Sequence, residues 1–316
     1  MSRPRPFRFA TQCNVVAEPG ELVERARAAE GRGFSTITVA DHFRPGDLAP
    51  LVAMAAMAAA TTTIRVGSNV LNNDFRHPVV LARELASLDL LSGGRLEVGL
   101  GAGWLRTDYD TWGIPIDPPG VRVSRLEESL GVLEALWAGE PFTHSGDHYT
   151  VRAPADVARS HQRPHPPLLV GAGGRRMLEL AARRADIVGI TFNQRHGTPD
   201  ARALLADAGN ADDGVHDRKV EWIRDAAGDR FPNLELAVFA IVTVTDDREA
   251  ALEAAAAAQG VSPQWLADAP QFSFGTIDEI ADDLEAKRAR YGVSYLMTPG
   301  DAFDAVSPLV ERLAGS

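Results

Sequence analysis

Residues 94–104 read GRLEVGLGAGW, an apolar strand that runs into Gly99, Gly101 and Gly103. A dinucleotide-binding Rossmann turn needs G-x-G-x-x-G at the start of a helix, inside the first βαβ unit. Here Trp104 takes the sixth position, Gly and Pro follow where a helix should continue, and three strand–helix units come before the motif. The Rossmann interpretation is therefore disfavoured. Residues this small are instead predicted to let a flat ligand approach the backbone.

On both sides of this stretch, strand-like and helix-like segments alternate along the 316-residue chain. The strands are continuous apolar runs, as in a parallel sheet buried on both faces. An open doubly wound sheet also alternates, but eight units without a domain break favour an α/β fold of the (β/α)8 TIM-barrel type. We expect one domain over 1–316, with insertions after strands 4 and 6. The predicted strands are 7–15, 35–40, 64–70, 95–101, 167–173, 186–192, 234–244 and 293–299.

The composition restricts the partners of the chain. A net charge of −11 argues against nucleic acid and against anionic membranes, because both require a basic surface. The single cysteine, Cys13, excludes an internal disulfide and lies in a predicted strand, which indicates a buried, inert thiol. No apolar run is long enough to span a bilayer, and the first residues lack the apolar run of a signal peptide. We expect a cytoplasmic protein whose partner is a small-molecule substrate.

Candidate functional residues follow the predicted strands, where barrel enzymes place their active sites. Asp41 and His42 follow the second strand, and a carboxylate beside an imidazole is suited to moving a proton near neutral pH. The alternative is that Asp41 caps the next loop and His42 packs at the surface. Gly67 and Ser68, with the asparagines after them, interrupt the third strand and predict a bulge or an ordinary loop.

The fifth strand ends in VGAGGRR, residues 170–176, directly before a predicted helix. Free N–H groups at a helix start, flexible glycines and two arginines predict an anion site, and a plain glycine-rich turn is the alternative. Two H-x₃-H pairs, at 144/148 and 161/165, lie in a polar segment rather than on a helix. We expect no metal site there.

Several of these segments together resemble the luciferase-like monooxygenase superfamily. They are similar, more narrowly, to its branch of oxidoreductases that use the deazaflavin coenzyme F420. No single segment decides this, and the order and spacing of the segments carry the resemblance. The segments are ADHF (40–43), GSNVL (67–71), the run from RHPVVL to GLGAGW (76–104), RLEESLGVLEALWAG (125–139) and PPLLVGAGGRRMLELAARRAD (166–186).

The resemblance implies a barrel whose mouth holds a flavin-type ring, with His42 as the catalytic residue. It also implies a non-prolyl cis peptide at Asn69–Val70, and it attributes the small residues of GLGAG to a ring and polyol chain that pass over them. The implied substrate pocket is lined by Phe43, Trp104 and Phe192. The implied cofactor-binding residues are Asp41, Ser68, Asn69, Val70, Ala102, Gly103, Gly171, Ala172, Gly173, Gly174, Arg175 and Thr191.

The chain departs from this family pattern at two places. Trp104 stands where the sugar-phosphate dehydrogenases of the family carry a glutamate acid, which argues against that activity. Their lysine after the sixth strand is not evident either, and Gln194 and Arg195 lie near that position. The second departure leaves the choice between coenzyme F420 and FMN open.

Three functions therefore remain. The first is an F420-dependent oxidoreductase that moves a hydride between C5 of the deazaflavin and a small organic substrate. The second is a two-component monooxygenase that uses reduced FMN and oxygen, and the third is a non-catalytic flavin-binding protein. The resemblance further implies a homodimer formed through the alanine-rich second helix and the third helix, and a flavin or F420 reductase as a possible supplier of reduced cofactor.

Overall fold

The computed structural model describes residues 4–18, 20–193, 212 and 214–316. The chain is a (β/α)8 barrel of parallel strands, which confirms the predicted fold class. The strands are β1 (Arg8–Gln12), β2 (Thr36–Val39), β3 (Arg65–Ser68), β4 (Leu71–Asn72), β5 (Leu96–Gly101), β6 (Phe142–Ser145), β7 (Thr150–Ala153), β8 (Leu168–Ala172), β9 (Ile187–Ile190), β10 (Glu235–Phe239), β11 (Ile241–Val244), β12 (Phe272–Gly275) and β13 (Val293–Thr298).

Most helices lie where the sequence pattern predicts them, but the short helices Arg106–Asp110 and Pro263–Asp268 were not predicted. Helix ends carry expected signals: the helix Pro50–Ala60 begins with proline, and the helix Ile277–Tyr291 begins with a capping box between Thr276 and Glu279. The helices are α1 (Glu21–Gly31), α2 (Pro50–Ala60), α3 (Pro78–Leu91), α4 (Arg106–Asp110), α5 (Pro119–Ala138), α6 (Arg175–Arg184), α7 (Val215–Ala227), α8 (Arg248–Gln259), α9 (Pro263–Asp268), α10 (Ile277–Tyr291) and α11 (Phe303–Leu313).

Two compact units can be distinguished in the chain. The first comprises Met1–Gln12, Gly31–Ser35 and Ala172–Ser316. In it β13 lies between β1 and β10, and β10 also pairs with β9, all in parallel. All six residues of β13 are buried, as expected for a central strand covered on both faces.

The predicted seventh strand, 234–244, is two strands in this unit rather than one. Ala240 separates them: its N–H donates to Met297 O (2.7 Å), whereas the N–H of Ile241 donates to Gln271 O (2.7 Å). The chain thus changes hydrogen-bonding partner between consecutive residues. As a result β11 leaves the barrel sheet and pairs in parallel with β12.

The second unit comprises Cys13–Glu30 and Thr36–Gly171. In it β3 pairs with both β2 and β5, β5 pairs with β8, and the short β4 lies beside β5. The polar segment after α5 contains the antiparallel hairpin of β6 and β7. Cys13 is buried, as expected.

The predicted interruption of the third strand is present in the second unit. The strand ends at Ser68 instead of continuing to Val70, and it resumes as β4 at Leu71. The peptide bond between Asn69 and Val70 is cis, which confirms the expectation from the resemblance. Among the described residues, no helix combines the length and apolar character needed to cross a membrane.

Candidate functional site

The glycines of β5 lie against the interruption that follows β3. A Cβ built on Gly99 would lie 2.0 Å from Ser68 O, and one on Gly101 would lie 2.8 Å from Val70 Cγ2. The Ser68 hydroxyl also bonds both backbone groups of Gly99, at 2.9 Å each. The first two glycines of GLGAG are therefore small because the protein's own backbone and Val70 occupy that face. This corrects the explanation that a bound ring requires them to be small.

Gly103 has a different reason to be glycine. Its φ of +74° favours glycine, and a Cβ there would lie 1.9 Å from the Tyr109 hydroxyl and 2.7 Å from Asn72 Oδ1. The buried Arg122 guanidinium donates to the carbonyl oxygens of Ala102 and Gly103. The backbone of 102–103 is thus fixed by protein contacts, and both residues remain half-buried at the end of the strand.

The Asp41 carboxylate does not pair with its neighbour in sequence. It is buried, and it accepts hydrogen bonds from the Arg76 guanidinium and from the backbone N–H of Asn72 at 3.0 Å. The predicted unit of adjacent carboxylate and imidazole is therefore wrong. The side chain of Asp41 instead ties the end of β2 to the segment that follows the cis peptide.

His42 pairs with a carboxylate that lies 66 residues further along the chain. Its Nδ1 is 2.6 Å from Asp108 Oδ2, and the side chains of His42 and Asp108 are only 15% and 6% exposed. The second carboxylate oxygen of Asp108 accepts the backbone N–H of Phe43 at 3.2 Å. The Trp104 ring stands edge-on to the imidazole, with 5.8 Å between the ring centroids. We name His42, Asp108 and Trp104 the His42 cluster. Its imidazole–carboxylate pair is suited to holding and moving a proton.

Aromatic rings continue outward from the His42 cluster. The exposed Phe43 ring packs against Phe75 at 4.9 Å and against Trp112 at 5.7 Å, measured between centroids. Trp112 is also exposed. An apolar substrate would find ring faces rather than charges on this side of the cluster.

A buried polar network includes Tyr109, the residue that directly follows Asp108 of the cluster. Asp74 has a buried side chain that pairs with Arg125 at 2.8 Å and accepts a hydrogen bond from the Tyr109 hydroxyl at 3.0 Å. Burial raises the pKa of Tyr109, and the Asp74 charge adds to this effect. The phenol therefore stays protonated at neutral pH and serves as a donor to its neighbours.

In the first unit, the predicted anion site lies at the start of α6. Gly174 is the N-cap residue, and as a glycine it supplies no side-chain cap to α6. Gly173 is constrained by the protein itself, because a Cβ on it would lie 1.9 Å from Phe192 O. The side chain of Arg175 is exposed and pairs with Glu179 at 2.7 Å.

Thr191 and Phe192, at the end of β9, contact a buried lysine. The N–H of Thr191 donates to Ala172 O (2.9 Å), and its carbonyl accepts Lys219 Nζ at 2.7 Å. The ammonium lies 5.8 Å from the centroid of the Phe192 ring. Burial lowers the pKa of Lys219 to about 8, so it is still charged at neutral pH.

Each unit thus gathers one set of the predicted residues. The second unit contains the His42 cluster with Ser68, Asn69, Val70, Ala102, Gly103 and Gly171, and the first contains Ala172, Gly173, Gly174, Arg175, Thr191 and Phe192. Gln194 and Arg195 lie outside the described residues. Over 4–18, 20–193, 212 and 214–316, no group of three or more His, Cys, Asp or Glu side chains could hold a metal ion.

Sequence reasoning missed four residues that bond the predicted ones. Asp108 pairs with His42 and Arg76 with Asp41, whereas Arg122 donates to the carbonyl of Ala102 and Lys219 to that of Thr191. One signal for Asp108 was present, because it is an acidic residue four positions after Trp104, in the segment that follows the GLGAG strand. A second acidic residue, Asp110, competed for the same interpretation, and the sequence alone does not distinguish the two.

Known proteins resemble the chain over most of its length. The family model of the luciferase-like monooxygenases matches residues 5–294. The F420-dependent glucose-6-phosphate dehydrogenase of Nakamurella multipartita is 30% identical over 263 residues, which is 79% of this chain and 71% of the relative. The enzyme of the same name from Microbacterium testaceum is 33% identical over 189 residues, which is 57% of this chain and 55% of the relative.

A solved structure agrees on the fold. The coenzyme F420-dependent tetrahydromethanopterin reductase of Methanopyrus kandleri superposes with a TM-score of 0.75 at 18% identity, covering 98% of each chain. At this identity the likeness concerns the fold alone. The family match, in contrast, covers nearly the whole sequence and includes every residue of the His42 cluster. The chain therefore belongs to the luciferase-like monooxygenase family.

Proposed function

We propose that the chain is a coenzyme F420-dependent oxidoreductase that transfers a hydride between C5 of the deazaflavin and a small organic substrate. The observation that carries the proposal is the His42 cluster, in which an imidazole paired with Asp108 stands beside the Trp104 ring. Such a pair supplies the proton that must accompany a hydride when an alcohol and a carbonyl compound interconvert. The F420-dependent relatives named above favour this cofactor over FMN.

The residues fit a cofactor of this kind at two places. The uncapped first turn of α6, behind Gly174, offers backbone N–H groups to a phosphate. In the second unit, the half-buried Asn69, Val70, Ala102 and Gly103 offer a surface of backbone and small side chains to a flat ring. When bound, the deazaflavin ring takes up or gives up the hydride, and the protein orients it and excludes water.

Not every predicted contact is made by a side chain. The Ser68 hydroxyl is committed to Gly99, and the Asp41 carboxylate is committed to Arg76 and Asn72. We therefore propose that Asp41 and Ser68 hold the backbone that contacts the cofactor ring. In the second unit, Phe43 and Trp104 are the substrate contacts that we propose. Because Trp104 occupies the position of the glutamate acid, we propose a substrate other than glucose 6-phosphate.

We further propose a homodimer that forms through α2 and α3. Val52 on α2 and Leu91 on α3 are 71% and 78% exposed, and Val80 adds to the apolar surface of α3. Surfaces of this kind on soluble proteins commonly mark interfaces. A reductase that supplies reduced cofactor is the second partner we propose.

Cofactor binding and oxygen consumption together test the function. Purified protein is titrated with coenzyme F420 and separately with FMN, and each complex is then offered a panel of alcohols, carbonyl compounds and glucose 6-phosphate. We expect tight F420 binding, absorbance changes of the deazaflavin on turnover and no oxygen uptake. Turnover with reduced FMN and oxygen would establish the monooxygenase instead, and binding without turnover of any substrate would indicate a flavin carrier.

A further inference from the structure

Asp108 holds His42 in a way that decides which ring nitrogen is free. Its Oδ2 lies 2.6 Å from His42 Nδ1, while its Oδ1 accepts the N–H of Phe43. Both oxygens of one buried carboxylate are thus occupied by consecutive residues of the segment after β2. We propose that Asp108 is the positioning residue of His42, fixing the proton on Nδ1 so that Nε2 alone exchanges protons with the substrate. This inference rests on the proposed function of His42.

The chemistry of the pair gives the reason. An ionised carboxylate only accepts hydrogen bonds, so at 2.6 Å it requires a proton on Nδ1. A neutral imidazole carries one proton, and Nε2 is then left with its lone pair. No described residue forms a hydrogen bond to Nε2, so this nitrogen is available to a substrate hydroxyl or carbonyl.

The neighbouring groups leave the orientation to Asp108. The nearest carboxylate in sequence, Asp41, is occupied by Arg76 and by the N–H of Asn72. Trp104 contacts the imidazole edge-on and limits its tilt, but the described contact is between rings and fixes no proton. Trp104 and Asp108 are four residues apart, so one short segment supplies both the wall and the partner of His42.

The test compares Asp108→Asn with a matched control on the same helix. Asparagine keeps the shape and an oxygen for the Phe43 N–H, but it presents an NH₂ group to Nδ1. The imidazole then carries its proton on Nε2 instead. Asp110→Asn is the control, because Asp110 lies on α4, is exposed and forms an ion pair with the exposed Arg106. Asp108→Glu retains the carboxylate and is expected to restore the wild-type proton position.

The readout is nitrogen-15 NMR of histidine-labelled protein without cofactor, at alkaline pH where imidazoles are neutral. The His42 signals are assigned from a His42→Gln sample. We expect Nδ1 protonated and Nε2 bare in the wild type and in Asp110→Asn, and the reverse in Asp108→Asn. In the loaded enzyme, kcat of Asp108→Asn should fall at least about 100-fold, with KM and cofactor Kd nearly unchanged.

Two results overturn the inference: a wild type that carries its proton on Nε2, or an Asp108→Asn variant with unchanged His42 signals. A contact that served stability alone would lower the melting temperature without moving the proton between the nitrogens. Failure of the proposed function is a separate result, because it appears as a wild type without F420 turnover. The NMR comparison needs no cofactor and decides the role of Asp108 in either case.

Discussion

We expect His216 to make the stability of the protein depend on pH. It lies on α7, packs against Trp265 with 5.0 Å between centroids, and contacts the Tyr291 ring edge-on. Neither ring nitrogen has a hydrogen-bond partner within the described part of the chain. Burial lowers the pKa of His216 from 6.5 to about 3, and the Lys219 charge lowers it further than the nearby Asp217 raises it. Lys287 and Arg290 act in the same direction as Lys219.

The sign and size of the effect follow from these two values. Between pH 6.5 and about 3, the unfolded chain binds a proton at this residue and the folded chain does not. The stability that neutral His216 contributes is therefore present above pH 6.5 and is lost as the pH falls. Each pH unit corresponds to about 1.4 kcal/mol, so lowering the pH from 7 to 5 should cost about 2 kcal/mol through this residue.

The substitution His216→Phe removes the titration and keeps an aromatic ring among Trp265 and Tyr291. Urea unfolding followed by circular dichroism at pH 7 and pH 5 gives the free energy of unfolding of each form. The variant should lose about 2 kcal/mol less than the wild type between these pH values. His161→Phe is the control, because His161 is an exposed histidine. Equal losses in His216→Phe and the wild type would refute the reasoning.

Three further substitutions test the site, the strand packing and the assembly. His42→Ala should lower kcat by about 10²–10⁴-fold and leave cofactor Kd unchanged, and undiminished turnover would end its catalytic assignment. Gly99→Ala should lower the free energy of unfolding by at least roughly 2 kcal/mol, since its Cβ would lie 2.0 Å from Ser68 O. Gly31→Ala, with nothing within 4 Å, should change it by less than about 1 kcal/mol. Val52→Lys should convert the proposed dimer to a monomer in light scattering, whereas a monomeric wild type at micromolar concentration would contradict the proposal of a dimer.

The barrel could be predicted from the sequence because its signal is local. Continuous apolar runs such as Ile187–Ile190 are buried throughout in the structure, and each run indicates a central parallel strand without reference to the rest of the chain. The end of a strand was less predictable where consecutive residues form hydrogen bonds to different strands. Ala240 is as apolar as its neighbours, so the sequence of 234–244 does not show where the chain passes from the barrel sheet to the sheet of β11 and β12.

His42 could be named as a candidate from the sequence, but its partner could not. His42 follows a strand of the barrel, and barrel enzymes place their active sites at such positions. Its carboxylate is 66 residues away, and the adjacent Asp41 is the obvious but wrong partner. Only the fold shows that Arg76 and the Asn72 N–H donate hydrogen bonds to the Asp41 carboxylate. Those contacts depend on the path of the segment after β3.

The glycine-rich motifs show why a ligand should not be inferred from small residues alone. Gly99, Gly101 and Gly173 each face a close protein group, and two of these groups are backbone carbonyls. Substituting Gly173 should therefore disturb the contact with Phe192 before it affects a phosphate. Gly174 differs, because a Cβ there would meet only the Asn193 side chain, at 3.2 Å, and it caps the helix without a side-chain bond. A phosphate site at α6 is best probed at Gly174, where a substitution can weaken anion binding while the strand ends stay packed.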